Sequence, residues 1–207
     1  MTTLVATVRP RTVRDLPGIQ SLMRRVYPPP HGPESVWSEE NLLSHLHRFP
    51  EGQFVAEGPA GRLIGAATSA RFPLRRALEP HTWWGITGGG SLATHDAEGY
   101  AFYGVDIAVD PAWQGLGVGR LLYEARIALA RRGGCLVFVA GARIPGYHEV
   151  AGQMTPEAYV AKVVKGERFD PTLSKQLSVG FEVLGVLRNY ARDPETLGHA
   201  AHIVLWL

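Results

Sequence analysis

Two scarcities frame this chain before any motif does. A single cysteine, Cys135, excludes a disulfide within the chain, and no cysteine–histidine cluster has zinc-site spacing, so no metal is expected. Cys135 opens the apolar run CLVFVA and reads as a small buried hydrophobe rather than a nucleophile. Charge is also sparse. Charged residues make up 19% of the 207, and of the 21 basic residues only Lys162, Lys165 and Lys175 are lysine. A formal net charge of +2 leaves no electrostatic footprint for nucleic acid, so no such partner is expected. No run is long and apolar enough to span a membrane, and MTTLVATVRPRTVRD lacks the apolar core and cleavage site of a leader. These absences predict a cytoplasmic protein without a membrane partner. Internal repeats, coiled-coil heptads and low-complexity tails are missing too.

Apolar residues, at 45%, are plentiful enough for one good-sized core, which predicts a single domain over residues 1–207. LVATVRP alternates like a strand, and Ile19, Leu22, Met23 and Val26 then form one helical stripe. Ser38 is placed as the N-cap of a second helix with Leu42, Leu43 and Leu46 inward and Pro50 as its stop. QFVAE and RLIGAATSARF read as strands around the turn GPAG. Residues 73–99 form a long glycine-rich excursion without clean periodicity. The strand YAFYGVDIAVD follows, with Val105, Ile107 and Val109 assigned to one face and Gly104, Asp106 and Ala108 to the other. A helix then carries Val118, Leu121, Leu122, Ala125 and Leu129 on one side and ends at Gly133-Gly134, before CLVFVA as a central strand. A second excursion, 141–154, precedes a helix capped by Thr155 and a shorter one, TLSKQLSV, which closes at Gly180. FEVLGVL and AHIVLWL finish the chain as strands around an exposed loop, NYARDPETLGH. The order predicts an α/β fold with a mixed sheet.

The densest signal is VDPAWQGLGVGRLLYEA, where glycines at 115, 117 and 119 stand between a strand and a helix. A tight turn is one explanation. An anion is the other, because a helix start presents unpaired N–H groups and the positive end of its dipole. A Walker A loop requires Lys-Ser/Thr after the last glycine, but Arg120-Leu121 stand there. A dinucleotide fingerprint requires wider glycine spacing and an acidic residue ending the next strand, where Gly141-Ala142-Arg143 are found.

Gln114-Gly115-Leu116-Gly117-Val118-Gly119 instead resembles the Gln/Arg-x-x-Gly-x-Gly/Ala motif of the GNAT (GCN5-related N-acetyltransferase) superfamily, and the order of elements matches it from Leu4 to Leu207. The resemblance implies a GNAT-like acyl-CoA N-acyltransferase fold, a mixed central sheet with helices on both faces. It implies acetyl-CoA as co-substrate, its pyrophosphate held by Gln114, Gly115, Leu116, Gly117, Val118, Gly119 and Arg120 and its pantetheine arm paired along Ile107, Ala108 and Val109. The acceptor would be the amine of a small molecule or peptide, and a homodimer stays open. Within the superfamily, Tyr103-Gly104-Val105-Asp106-Ile107, Arg143-Ile144-Pro145-Gly146-Tyr147-His148 and Asp170-Pro171 resemble the branch often fused to nitrilase-like carbon–nitrogen hydrolases.

The family's acid is a tyrosine four residues before the Gly-Phe that ends the short helix, and here that position is Gln176. Tyr147, Tyr103 and Tyr190 are the substitute donors considered, each also readable as an ordinary half-buried tyrosine. Asp106 and His148 are the candidate bases. Asp106 is a carboxylate in an apolar strand, which reads equally as a structural anchor, and His148 also reads as a solvated loop histidine. Trp83-Trp84 read as a substrate wall or as packing, and Arg75-Arg76 as a contact for an acidic substrate or the adenosine phosphate of CoA or as solvated surface, with packing and solvated surface the favoured readings. Both excursions, 73–99 and 141–154, are expected beside the open end of the cofactor cleft, together forming the acceptor pocket. The competing class is a non-catalytic acyl-CoA-binding module serving a partner protein.

Overall fold

The computed structural model describes residues 6–207, so the first two residues of the expected strand LVATVRP lie outside the described residues. The first sheet strand, β1, runs Thr7–Pro10. Helix α1 (Leu16–Val26) buries Leu16, Ile19, Leu22 and Met23. In α2 (Glu39–Arg48) the Ser38 hydroxyl accepts from the Asn41 N–H, as a helix start requires. Leu42 is fully buried there, whereas Leu43 is 41% exposed, because one residue's rotation takes it off the narrow inward stripe. Strands β2 (Gln53–Glu57) and β3 (Leu63–Phe72) follow. The first excursion is more ordered than its sequence suggests. It holds α3 (Leu74–Leu78), α4 (Trp83–Thr87) and a π-type turn over Gly88–Leu92.

The second half comprises β4 (Ala101–Val109), α5 (Val118–Arg132), β5 (Val137–Arg143), α6 (Pro156–Val164), α7 (Leu173–Val179), β6 (Glu182–Leu187) and β7 (Ala200–Trp206). The seven strands form one mixed sheet in the order β1-β2-β3-β4-β5-β7-β6. Every neighbouring pair is antiparallel except β4 and β5, which α5 joins as a crossover. On one face, residues of α1–α4 pack with Val105 and Tyr103 of β4 and Val137 and Val139 of β5. On the other, α5, α6 and α7 cover Phe102, Phe138, Ala140 and Ile203. Helix α5 is buried along two stripes. Val118 and Leu122 pack over the first strands, and Tyr123, Arg126 and Ala130 are buried as well. Cys135 is a buried free thiol, as expected.

Two irregularities in β4 create the site. The β3–β4 register shifts between Thr68↔Asp106 and Ser69↔Gly104, leaving Val105 as an extra residue. A bulge of this kind resets the alternation of a strand. The face assignment made from sequence is therefore corrected: Val105 and Ala108 share the α1 side, and Ile107 and Val109 take the α5 side. Asp106 reaches the α1 side too, toward Tyr27 and Trp37. The second irregularity is a divergence. β4 pairs with β5 only from Ala101↔Val137 to Gly104↔Ala140, after which β5 continues with β7 alone.

Asp110 anchors the exit from β4. Its carboxylate accepts from the Ala112 N–H at 3.1 Å and from Arg25 and Arg62 at 2.9 and 3.1 Å. Burial opposes its ionised form, but the Ala112 N–H and the arginines outweigh that and depress its pKa. A depressed folded-state pKa contributes stability above the unfolded carboxylate value and loses it as pH falls through the folded one. Asp110→Ala should cost about 1–2 kcal/mol at neutral pH, a lost cap plus partly exposed ion pairs. Urea denaturation should show the difference from the parent shrinking as the buffer is acidified below the carboxylate range.

Candidate active site

A cavity of about 1790 Å³ opens where β4 and β5 part. Beyond Gly104 the β5-facing edge of β4 has no strand partner, so its backbone groups border the cavity unpaired by sheet. The Val105 carbonyl, at the bulge, accepts from Trp83 Nε1 at 3.2 Å. Gly104 is glycine for packing: an added Cβ would come within 2.6 Å of Arg126 Nη2 and 3.0 Å of Phe138.

At one end of the cavity stands the glycine turn. Gly115 and Gly117 have φ of +77° and +87°, which strongly favours glycine, and Gly117 is the N-cap of α5. An ideal Cβ at either position would meet nothing within 4 Å, so the turn faces open space. The Leu121 N–H closes on the Gly117 carbonyl at 3.1 Å, so the N–H groups of Val118, Gly119 and Arg120 precede the first turn's internal acceptors. With the helix dipole behind them they form a seat for an anion. A pyrophosphate fits this seat, and an arm bearing amides fits the unpaired edge of β4.

Of the residues singled out from sequence, Asp106, Ile107, Val109, Gln114, Gly115, Gly117, Gly119 and Arg120 line this cavity. Ala108 and Val118 turn their side chains into the core, and Leu116 is 57% exposed at the tip of the turn. Tyr147 and His148 are not brought to it. The Tyr147 ring is buried against Tyr159 and its hydroxyl donates to the Met154 carbonyl at 3.3 Å. His148 is exposed, with Nδ1 2.7 Å from the Pro145 carbonyl oxygen. Tyr147 ends the short helical turn over Pro145–Tyr147, and the next residue, His148, donates its N–H to the Glu195 carbonyl at 3.4 Å. Neither lines the cavity, contrary to the catalytic role expected from sequence, and neither is carried into the mechanism below. Tyr103 is buried behind Tyr190, to which its hydroxyl is bonded at 2.9 Å.

Asp106 stays at the centre of the site. Its Oδ1 accepts from the Tyr27 hydroxyl and its Oδ2 from Trp37 Nε1, each at 3.3 Å. Burial pushes its pKa up, against the pull of those two donors. Gln176 also lines the cavity, and its Nε2 donates to the Tyr123 hydroxyl oxygen at 2.8 Å. Its Oε1 is buried without a partner. Burial raises the Tyr123 pKa, while the Arg126 charge, 5.5 Å from the ring centroid, and the Gln176 amide pull it back. Tyr123 escaped the sequence reading because it occupies an ordinary inward position of α5. Nothing in the linear pattern pairs it with residue 176.

The acceptor end differs from expectation in the same way. The excursions contribute Trp83, Trp84, Gly141, Arg143 and Pro145, while Arg75 and Arg76 stay outside. The segment between α1 and α2 adds Tyr27, His31 and Trp37. The β6–β7 loop, taken from sequence as merely exposed, adds Tyr190, Asp193 and Glu195. Arg143 straps that loop down, bonding Asp193 at 2.5 Å and Glu195 at 2.7 Å.

The cleft between the diverging parallel strands, with a glycine turn at a helix start beside it, has the form that the sequence resemblance implies for an acyl-CoA site, and comparison with known proteins gives the same family. Residues 16–145 match the acetyltransferase (GNAT) family. The uncharacterized N-acetyltransferase YkwB of Bacillus subtilis (strain 168) is 35% identical over 193 residues, covering 93% of this chain and 85% of that protein. The probable hydrolase YhcX of the same organism is 38% identical over 170 residues, which is 82% of this chain but only 33% of that longer protein. Among solved structures, the GphF GNAT-like decarboxylase in complex with isobutyryl-CoA superposes with a TM-score of 0.80 at 24% identity, over 97% of this chain and 98% of that one. The chain belongs to the GNAT acetyltransferase family.

Gly117→Val tests the anion seat. A β-branched residue at positive φ is strained, and its branch enters the space open to a ligand oxygen. Calorimetry should register a loss of CoA affinity of about tenfold or more, consistent with a few kcal/mol of strain and lost contact. A folded variant that binds CoA like the parent would refute the assignment.

Proposed function

We propose that this chain is an acetyl-CoA-dependent N-acetyltransferase that acts on the amine of a small molecule or peptide. One observation carries the reading: a free strand edge leads from an anion seat directly to a carboxylate and a tyrosine lining the same cavity. In this reading the N–H groups at the start of α5 hold the pyrophosphate, and the edge of β4 holds the pantetheine amides as an added strand would be held.

Asp106, its pKa raised by burial, takes one proton from the acceptor's ammonium. The nitrogen lone pair then forms the N–C bond, and the nitrogen's surplus proton passes to solvent. Tyr123 delivers its hydroxyl proton to the sulfur as the C–S bond breaks, with Gln176 stabilising the resulting phenolate. Asp106 and Tyr123 return to their starting states by exchange with solvent, so each turnover releases one proton. Gln176 is thereby a positioning residue, standing where the family's tyrosine would be.

A second reading keeps the chain as an acyl-CoA-binding module serving a partner. It is favoured by Gln176 itself and by YhcX, a probable hydrolase of which this chain matches a third. Transfer of acetyl to any amine in a panel, faster than acetyl-CoA hydrolysis, decides for the enzyme; malonyl-CoA and isobutyryl-CoA serve as acyl controls.

Tyr123→Phe should lower kcat about a hundredfold, the usual scale for losing an acid–base group, with CoA affinity unchanged. Gln176→Ala should keep a measurable rate, reduced about tenfold by the loss of one buried hydrogen bond. Steady-state kinetics on both variants checks the assignment, and a larger loss from Gln176→Ala than from Tyr123→Phe would overturn it.

A further inference from the structure

Asp106 is unlike the other inward-facing aspartates. Asp15 pairs with Arg9 at 2.7 Å, Asp110 with Arg25 at 2.9 Å and Asp193 with Arg143 at 2.5 Å. Asp170 has no arginine, but it accepts from the Thr172 and Leu173 N–H groups at 2.9 and 2.8 Å and from Tyr159 at 2.7 Å. Asp106 has no side-chain hydrogen bond shorter than 3.3 Å, and among the described residues no cation stands within ion-pair distance. Arg126 is engaged elsewhere, on Ser69 and stacked over Phe138. Arg126 and Arg11, the cations that act on Asp106, do so from beyond ion-pair distance, so a ligand cation in direct contact would supply the short-range partner the fold omits.

The walls around it state what else that ligand carries. Trp37 and Trp83 touch, with ring centroids 5.4 Å apart, and Trp84 meets Trp83 edge-on at 5.3 Å. Together with Tyr27 these rings line the cavity. Their polar handles are already used: Tyr27 and Trp37 donate to Asp106, and Trp83 donates to the Val105 carbonyl. The Arg143 guanidinium lies over the Tyr27 ring and Trp37 is only 7% exposed, so the open π-face and apolar edge come mainly from half-buried Trp83 and exposed Trp84, with the remaining surface of Trp37 beside them. Of the cavity's other carboxylates, Asp193 and Glu195 are already tied to Arg143, which leaves Asp106 as the unpaired one beside the aromatic rings.

We propose that the acceptor is an arylalkylamine, a primary ammonium one or two carbons from an aromatic ring, with its nitrogen on Asp106 and its ring against Trp37 and Trp83. This rests on the acyltransferase reading above for its consequence, but the seat itself is a binding site and can be measured without turnover. Cation–π attraction and ring burial favour the aromatic amine, and the paired charge fixes the nitrogen beside the diverging strands.

Calorimetry on the whole chain, with and without CoA, tests it with phenethylamine, n-butylamine and 3-phenylpropionate as probes. Phenethylamine should bind about tenfold more tightly than n-butylamine, and 3-phenylpropionate should not bind. Asp106→Asn should weaken phenethylamine about thirtyfold, the scale of removing one partner of a desolvated charge pair, while CoA affinity stays within about twofold. Trp83→Leu should bring the two amines to nearly equal affinity while retaining preference for amine over carboxylate. Equal binding of the two amines by the parent, or a folded Asp106→Asn that binds phenethylamine unchanged, overturns the proposal. Binding of CoA without amine selectivity refutes the seat alone, whereas amine selectivity without any CoA binding upholds the seat and refutes the acyltransferase reading.

Discussion

The structure turns on the parting of β4 from β5 after the Gly104↔Ala140 pair. Backbone N–H and C=O groups are obligatory hydrogen-bonding groups, and a sheet that opens in its middle leaves a row of them without a strand. Most proteins cover or charge such an edge. Here the edge borders a cavity and continues into a glycine turn whose backbone is equally unspent. The bulge at Val105 lies one residue beyond the last pair, so the same local disturbance opens the sheet and turns Asp106 toward α1. Gly104 belongs to the same knot, because Arg126 and Phe138 pack where its side chain would be.

Charge is distributed along the cavity to match this geometry. The start of α5 presents the positive end of a helix dipole at one end, and carboxylates gather at the other. Between them lies Arg126, buried on Ser69, Tyr123 and Phe138 and with its pKa lowered by burial to about 10. It stays charged at neutral pH, and its field reaches both Tyr123 and Asp106. One buried cation thus favours the phenolate form of the tyrosine and tempers the burial that raises the aspartate.

In the mechanism proposed above, the Tyr123–Gln176 bond is how the site keeps an acid while exchanging the residue that carries it. Helices α5 and α7 converge on the same side of the sheet, so a hydroxyl can reach the cavity from either. Glutamine at 176 then offers an N–H where a tyrosine would offer a proton, which leaves the neighbouring phenol as the group with one to give. The hydrolase-length relative YhcX, of which this chain spans a third, carries a matching segment within a larger protein.

Local chemistry determined much of this without help. Glycines at alternate positions between a strand and a helix point to positive φ and a helix start, and the structure has positive φ at Gly115 and Gly117, with Gly117 the N-cap of α5. Hydrophobic periodicity placed the helices and most strands, because period and burial are short-range properties of the chain. Asp106 was legible as an anomaly, a charge in an apolar strand. Its surroundings were not, since Tyr27 and Trp37 lie 79 and 69 residues away. Only the tertiary structure separated Tyr147 and His148 from the cavity, brought Tyr123 to Gln176 and folded the β6–β7 loop onto Arg143. The sequence determined the glycine turn, whose parts are neighbours in the chain; the fold decided the surroundings of Asp106, because their parts meet only where two strands cease to pair.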